Sequence, residues 1–276
     1  METFEQLRIS LSRDEAGPLL VGMAPHEDVL SRRDALKQAF SEPLLFLHLK
    51  TRKPYEFVPL PVEGDYAAGI FKRPRPLAAH DRKLQPYEAE NYEGAVFIIS
   101  LSKDQIAWMQ VNHRLGANKA LLESFFSQLR GEKGIRDWKP IVQYLRDEQE
   151  YWEFVDKNRD RIAKISFEFI PPNALSAESR IYELLKIVKV EANPDTVQHI
   201  YKADPGQMNL ESDTLASSAR IAMAGGGEAE ARAADNKLLY NSRTARKITQ
   251  EVPEGEMPTE GNPAFIRRLR DWLFDR

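Results

Sequence analysis

Residues 162–173, IAKISFEFIPPN, and residues 224–233, AGGGEAEARA, bracket the segment whose reading decides the fold. Ile165, Phe167 and Phe169 fall on one side of an extended chain and Lys164, Ser166 and Glu168 on the other. That period of two is the pattern of a strand with one buried face. Pro171 and Pro172 end it, because neither can donate to a ladder. A helix through about Val190 follows, capped by Asn173 or Ser176, with Ile181, Leu184, Leu185 and Val188 as its apolar stripe. Asn193-Pro194-Asp195 turns the chain into a strand in which Val197, His199 and Tyr201 oppose Gln198, Ile200 and Lys202. A helix between two strands permits a right-handed crossover without requiring parallel pairing. Ser212 or Asp213 caps the next helix, whose Leu215, Ala219, Ala222 and Met223 form a narrow small-residue face.

Gly225, Gly226 and Gly227 invite a phosphate-loop reading that fails on position. Such loops run from strand into helix, with glycines ahead of the helix N-terminus. Here the glycines follow a helix, so they read as a C-terminal cap with left-handed backbone. Glu228 to Ala234 then alternates, Asp235-Asn236 turns the chain, and Leu238 to Ile248 returns it as the second arm of a hairpin. The returning arm carries Lys237, Arg243, Arg246 and Lys247 without a carboxylate, and Arg232 stands on the arm before it. Tyr240, Asn241, Ser242 and Thr244 add groups able to bond phosphate. The tail beyond holds a linker and a terminal amphipathic helix with Phe265, Ile266, Leu269, Trp272 and Leu273 apolar. This helix docks on its own chain or on a partner.

Toward the N-terminus, Phe4, Leu7, Ile9 and Leu11 mark an opening strand, with Pro18 to Met23 as its partner. Asp28 to Phe40 reads as a short helix. LLFLHLK, YEFVPLPV and YAAGIFK are strand-length runs of an antiparallel meander. His48, alone in the first of them, reads as a structural histidine. From Lys72 to Glu93 the chain is polar and proline-rich, a long excursion that opens with the basic residues Lys72, Arg73 and Arg75; splayed cations of this kind suit phosphate contact. AVFIISLS and QIAWMQVN form a central hairpin around Lys103-Asp104, and NKALLESFFSQLR a helix whose Leu121, Leu122, Phe125, Phe126 and Leu129 belong to a core or an interface. Residues 131–161 join the halves as a mostly helical connection. Its Asp147, Glu148, Glu150 and Glu153, interspersed with Arg146, Lys157 and Arg159, make a salt-bridged exposed face rather than an acid cluster.

The expected architecture is α+β, with an N-terminal half at 1–130, the helical connection at 131–161, a C-terminal half with the late hairpin at 162–252, and a tail and helix at 253–276. Apolar residues make up 42% of the 276 and charged residues 29%, a composition that supports a folded core. With no cysteine, disulfides and thiolate metal sites are excluded. Neither a signal peptide nor a membrane span is expected, and the location expected is the cytoplasm. A net charge of -3 argues against wholesale coating of nucleic acid, though it allows a local basic face.

The succession VFIISLSKDQIAWMQ, helix, strand, helix, strand, and a late helix ending in glycines before a polar hairpin resembles the RexA-type phage-exclusion proteins and related defence families. The resemblance covers most of the chain as pattern and rests on no invariant motif. It implies a cytoplasmic sensor of invading nucleic acid that dimerises, binds duplex DNA with little sequence preference and signals to a separate effector protein. It supplies no catalytic residue.

The five histidines lack metal-ligand spacing and no GxSxG is present, so no cofactor or metal is expected. Pro194-Asp195 is the only literal start of a magnesium-dependent nuclease motif, and position 200, two residues before Lys202, is isoleucine rather than an acid. The function expected is therefore non-enzymatic DNA binding through Arg232, Lys237, Arg243, Arg246 and Lys247, assisted by Lys72, Arg73 and Arg75. A metal-dependent nuclease and a protein-interaction module are the alternatives. Self-association as a homodimer is expected from the apolar residues of the helix at 118–130 and of the terminal helix.

Overall fold

The computed structural model describes residues 1–13, 31–102, 104–132, 135, 138–170, 180–192, 194–253 and 264–274. In chain order the elements are β1 (Glu2–Arg13), α1 (Arg32–Ala39), β2 (Leu44–Leu47), β3 (Pro54–Leu60), β4 (Tyr66–Pro74), β5 (Leu77–His80), β6 (Pro86–Ala89), β7 (Tyr92–Ser100), β8 (Ile106–Gln110) and α2 (Asn118–Glu132). They continue with β9 (Trp138–Tyr144), α3 (Glu148–Lys157), β10 (Lys164–Phe169), α4 (Arg180–Ala192), β11 (Val197–Lys202), α5 (Asp213–Ile221), β12 (Gly227–Arg232), β13 (Leu238–Asn241), β14 (Thr249–Val252) and α6 (Ala264–Phe274). The architecture is α+β, and the chain divides into two compact units. The first holds residues 1–5, 13–142 and 249–276, the second residues 6–12 and 143–248. The segment 131–161 carries a strand, β9, as well as α3. Among the described residues no helix is long and apolar enough to cross a membrane.

The larger sheet has the order β14-β1-β8-β7-β4-β3-β2, with β9 also paired to β1. The expected meander is β2, β3 and β4, antiparallel in register, and the β7–β8 hairpin is central. The proposed partner strand at 18–23 and the turn residue Lys103 lie outside the described residues. In the first unit seven phenylalanines, Phe40, Phe46, Phe57, Phe71, Phe97, Phe125 and Phe126, are buried together. Phe125 stacks on Phe40 at 5.1 Å and meets Phe71 edge-on at 5.4 Å. The α2 stripe is thus core. His48 is buried too, and its Nδ1 accepts from the Lys50 and Thr51 amides at 3.2 and 3.3 Å. Burial, with Lys50 adding, lowers its pKa and favours the neutral imidazole.

One expectation about this unit needs correction. Lys72 to Glu93 is not an irregular loop: β4 runs to Pro74, β5 and β6 form a separate hairpin, and β7 starts at Tyr92. Its turn is closed by the Asp81 carboxylate, which accepts from the Lys83 and Gln85 amides at 2.8 and 2.9 Å. Most of the residues of these strands are exposed, so no polar-apolar alternation marks them in the sequence. Phe125 and Phe126 lie in the core, and Phe265, Ile266, Leu269 and Leu273 form the buried face of α6. Phe274 meets Tyr66 edge-on at 5.1 Å, and the Trp272 carbonyl accepts from Gln250 Nε2 at 2.6 Å.

The second unit is a four-stranded sheet, β11-β10-β12-β13, antiparallel throughout. Ile165, Phe167 and Phe169 of β10 and Ala229 and Ala231 of β12 face a core completed by Tyr151, Val155, Leu215, Met223 and Tyr240. Ser212 caps α5, accepting from the Leu215 amide at 3.4 Å, and Asp147 caps α3. Of the expected α4 stripe Ile181 and Leu185 are buried, whereas Leu184 is 46% exposed. The capping candidates Asn173 and Ser176 and the two prolines lie outside the described residues. A single π turn, Ala222–Gly226, ends the helix at Gly225, whose φ of 76° is left-handed. The glycine cap read from the sequence is therefore present.

Burial pushes the Tyr240 hydroxyl up to about 12, with Glu150 and Asp147 adding and Arg146 opposing; burial raises Tyr151 as well. Between about pH 10, where an unfolded phenol ionises, and pH 12 the folded chain holds more protons than the unfolded one. Stability therefore falls as pH rises through that window. Chemical denaturation at pH 9, 10 and 11 should show this decline. Tyr240→Phe should lessen it, and an unchanged pH dependence in that variant would contradict the burial of this hydroxyl.

Candidate functional site

Helices pack on one face of the second unit's sheet; among the described residues the other face is open, and its charges are sorted by row. Antiparallel register sets Lys202, Lys164 and Arg232 side by side across β11, β10 and β12. Two residues along the same strands, Ile200, Ser166 and Glu230 form the next row, and then Gln198, Glu168 and Glu228. Directly opposed residues on adjacent strands share a face, so these are true side-chain rows. Cations thus occupy one end of the face and carboxylates the other.

The acidic end is internally satisfied. Glu168 accepts from Gln198 Nε2 at 3.2 Å, Glu230 pairs with Arg232 at 3.0 Å and accepts from Asn241 at 3.2 Å, and Glu228 pairs with Arg243. Glu168, Gln198, Glu228, Glu230 and Arg243 line a small concavity of about 210 Å³. Among the described residues, no three His, Asp or Glu side chains are grouped so that they could hold a metal ion. The open face also carries no aromatic ring among its described strand positions, so it lacks the stacking platform on which sheets hold unpaired bases.

The predicted basic hairpin is divided by the structure. β13 ends at Asn241, so Arg243, Arg246 and Lys247 lie beyond the strand, in a turn and the segment after it. Lys237 sits at the other end, beside the Asp235-Asn236 turn, with Arg232. The two groups are separated by the length of β12; Arg232 and Glu228 are four residues apart, about 13 Å at strand rise. Tyr240, Asn241, Ser242 and Thr244 have internal tasks instead of free phosphate-bonding groups. Tyr240 is buried with its hydroxyl donating to Met223 Sδ at 3.7 Å, and Ser242 Oγ accepts from the Ala229 amide at 2.9 Å. Asn241 Oδ1 accepts from the Arg243 amide at 2.8 Å, and Thr244 Oγ1 donates to the Asn241 carbonyl at 3.1 Å.

Arg146, which the sequence placed on an exposed salt-bridged face, instead holds the 242–248 segment. Its guanidinium donates to the carbonyls of Ala245 at 2.6 Å and Arg243 at 3.0 Å. Its own backbone bridges to Lys247, and both Arg146 and Lys247 lie over the Tyr144 ring, at 5.4 and 3.9 Å. No local pattern could have shown this, because the partners are about a hundred residues away. Arg243 is held by Glu228, while Arg246 is exposed and forms no ion pair among the described residues. Lys164 and Lys202, absent from the expected site, could have been found only from the strand register.

In the first unit Lys72 and Arg73 are half-buried and Arg75 is exposed, and all three are engaged by their own chain. Lys72 lies 3.5 Å from Glu56 and 5.5 Å from the Tyr92 ring centroid. Arg73 donates to the Arg114 carbonyl and covers the Tyr55 ring. Arg75 and Arg114 converge on Glu93 at 3.0 and 2.8 Å; Arg114 above all holds that carboxyl below the usual range. Comparison of the chain with protein-family models, with curated proteins and with solved structures gave no match.

Proposed function

We propose that the protein is a non-enzymatic sensor that binds duplex DNA with little sequence preference, using the 242–248 segment as its phosphate-contacting element. The observation that carries this reading is the bracing of that segment by Arg146. Arg243, Arg246 and Lys247 are presented on a backbone of fixed shape, so less conformational freedom is lost when phosphates are bound. The setting, a phage-exclusion or defence system with a separate effector and a homodimeric cytoplasmic sensor, rests on the sequence resemblance alone. Lys72, Arg73 and Arg75, in the first unit, play the lesser part.

Binding of this kind falls steeply with salt, because each neutralised duplex phosphate contributes roughly 0.9 to the slope of log K against log salt. Replacing Arg243, Arg246 and Lys247 together by alanine should weaken binding on every sequence alike and lower that slope by about two to three units. Fluorescence anisotropy across a salt series measures it, and an unchanged slope would move the contact elsewhere. Supercoiled plasmid incubated with the protein and magnesium should remain intact. Cleavage that disappears in Glu228→Gln or Glu230→Gln would replace the sensor reading with a nuclease.

A further inference from the structure

The cationic end of the open sheet face opens into a concavity of about 580 Å³, lined by Lys164, Lys202, Asp204 and Asn236 with small residues such as Ala163 and Ala233 between them. Its volume lies within the roughly 300–1,000 Å³ of small-ligand sites. Short side chains at the strand ends create the space. The charges are arranged against folding stability: Lys202, Lys164 and Arg232 are direct cross-strand neighbours, with strands about 4.8 Å apart, and like charges so placed repel. Arg232 is relieved by Glu230 at 3.0 Å and by the Asn236 carbonyl at 3.1 Å. Lys164 and Lys202 form no ion pair among the described residues, and both face the concavity. Asn236, held in a left-handed turn with φ of 65°, adds an amide at the rim.

Two adjacent uncompensated ammonium groups match a dianion. The surroundings decide which one. A phosphodiester chain continuing along the sheet would run from the lysines onto Glu230, Glu168 and Glu228 within two rows, about 13 Å. A group that ends in the concavity avoids those carboxylates. Asp204, on the wall, repels a second phosphate and accepts a hydrogen bond from a hydroxyl or amino group of the attached organic part. We propose that this concavity binds a terminal phosphomonoester, carried either by the end of a nucleic-acid strand or by a free nucleotide. The proposal does not depend on duplex contact by the 242–248 segment, which stands at the other end of β12.

The test is titration of the full chain with a 5′-phosphorylated single-stranded octanucleotide, the same strand with a 5′-hydroxyl, AMP and inorganic phosphate. The phosphorylated strand should bind at least tenfold tighter than the hydroxyl strand. Lys164→Gln with Lys202→Gln should erase that difference without lowering the melting temperature, since the substitution removes a repulsion. Should the double variant fail to fold, Lys202→Gln alone, on the sheet's edge strand, should reduce the preference at least threefold. AMP binding as tightly as the phosphorylated strand assigns the site to a free nucleotide; AMP binding much more weakly assigns it to a strand end. Equal affinity for the two strands together with no binding of AMP would overturn the proposal, as would a preference that survives the lysine substitutions. The duplex reading is separable: Arg243→Ala with Arg246→Ala and Lys247→Ala should leave the 5′-phosphate preference intact, and the lysine variant should leave the duplex salt slope unchanged.

Discussion

Phe125→Ala is expected to destabilise the protein by about 3–5 kcal/mol, the range for deleting a buried aromatic ring from a packed core. Phe125 is fully buried and its ring meets five others: Phe40, Phe46, Phe57, Phe71 and Phe126. Removing it forfeits both its transfer energy and edge-to-face contacts worth ~0.5–1.5 kcal/mol each as pairs. The surrounding phenylalanines cannot all turn into the void, because each is fixed by others in the same cluster. A loss of this size is a large fraction of a normal domain's stability. Urea unfolding followed by fluorescence measures it, with Phe125→Leu as a milder control, expected to cost less than the alanine change. A loss below about 1 kcal/mol for Phe125→Ala would show that α2 does not seat on the sheet as described.

Gly227→Ala is expected to cost about 3 kcal/mol or more, for a different reason. A Cβ at this position would stand 2.2 Å from the Glu168 carbonyl oxygen and 3.0 Å from the Phe169 Cα. The obstacles are backbone atoms of β10, paired with Gly227 in register, so no side-chain rotation relieves the clash. The φ of Gly227 is 166°, extended and open to any residue; the requirement is close approach alone. Gly225 contrasts with it, since its left-handed φ carries a penalty of roughly 1–2 kcal/mol for an L-residue whatever the space. Thermal melting of Gly225→Ala and Gly227→Ala side by side should rank the second as the more damaging. The reverse order would mean that β12 does not enter the sheet at Gly227.

Both glycines bear on function, because they set where β12 begins and hence its register against β10. A slip of one residue would turn Arg232, Glu230 and Glu228 into the core and Ala231 and Ala229 out. The charge rows of the open face, with the lysine pair at one end and the carboxylates at the other, exist only in the observed register.

Local elements controlled by a single chemical pattern were legible in the sequence. Alternation marked β10 and β11, and continuous apolar runs marked the β7–β8 hairpin; three- and four-residue spacing marked α2; Ser212 or Asp213 announced the start of α5, and the glycines its end. Alternation also separated Lys164 and Lys202 from the core, and the lone His48 could be read as structural from its apolar neighbours. The β5–β6 hairpin was not legible, because a ribbon exposed on both sides leaves no alternation to read. Which charges meet depends on long-range pairing. Lys164, Lys202 and Arg232 are 30 to 68 positions apart along the chain but share one row, while Arg232 and Arg243, only eleven positions apart, stand at opposite ends of β12. Arg146 reaches the 242–248 segment across about a hundred residues. Strand register and long-range hydrogen bonds, which depend on the whole sheet being assembled, set those distances, and no window of sequence contains them.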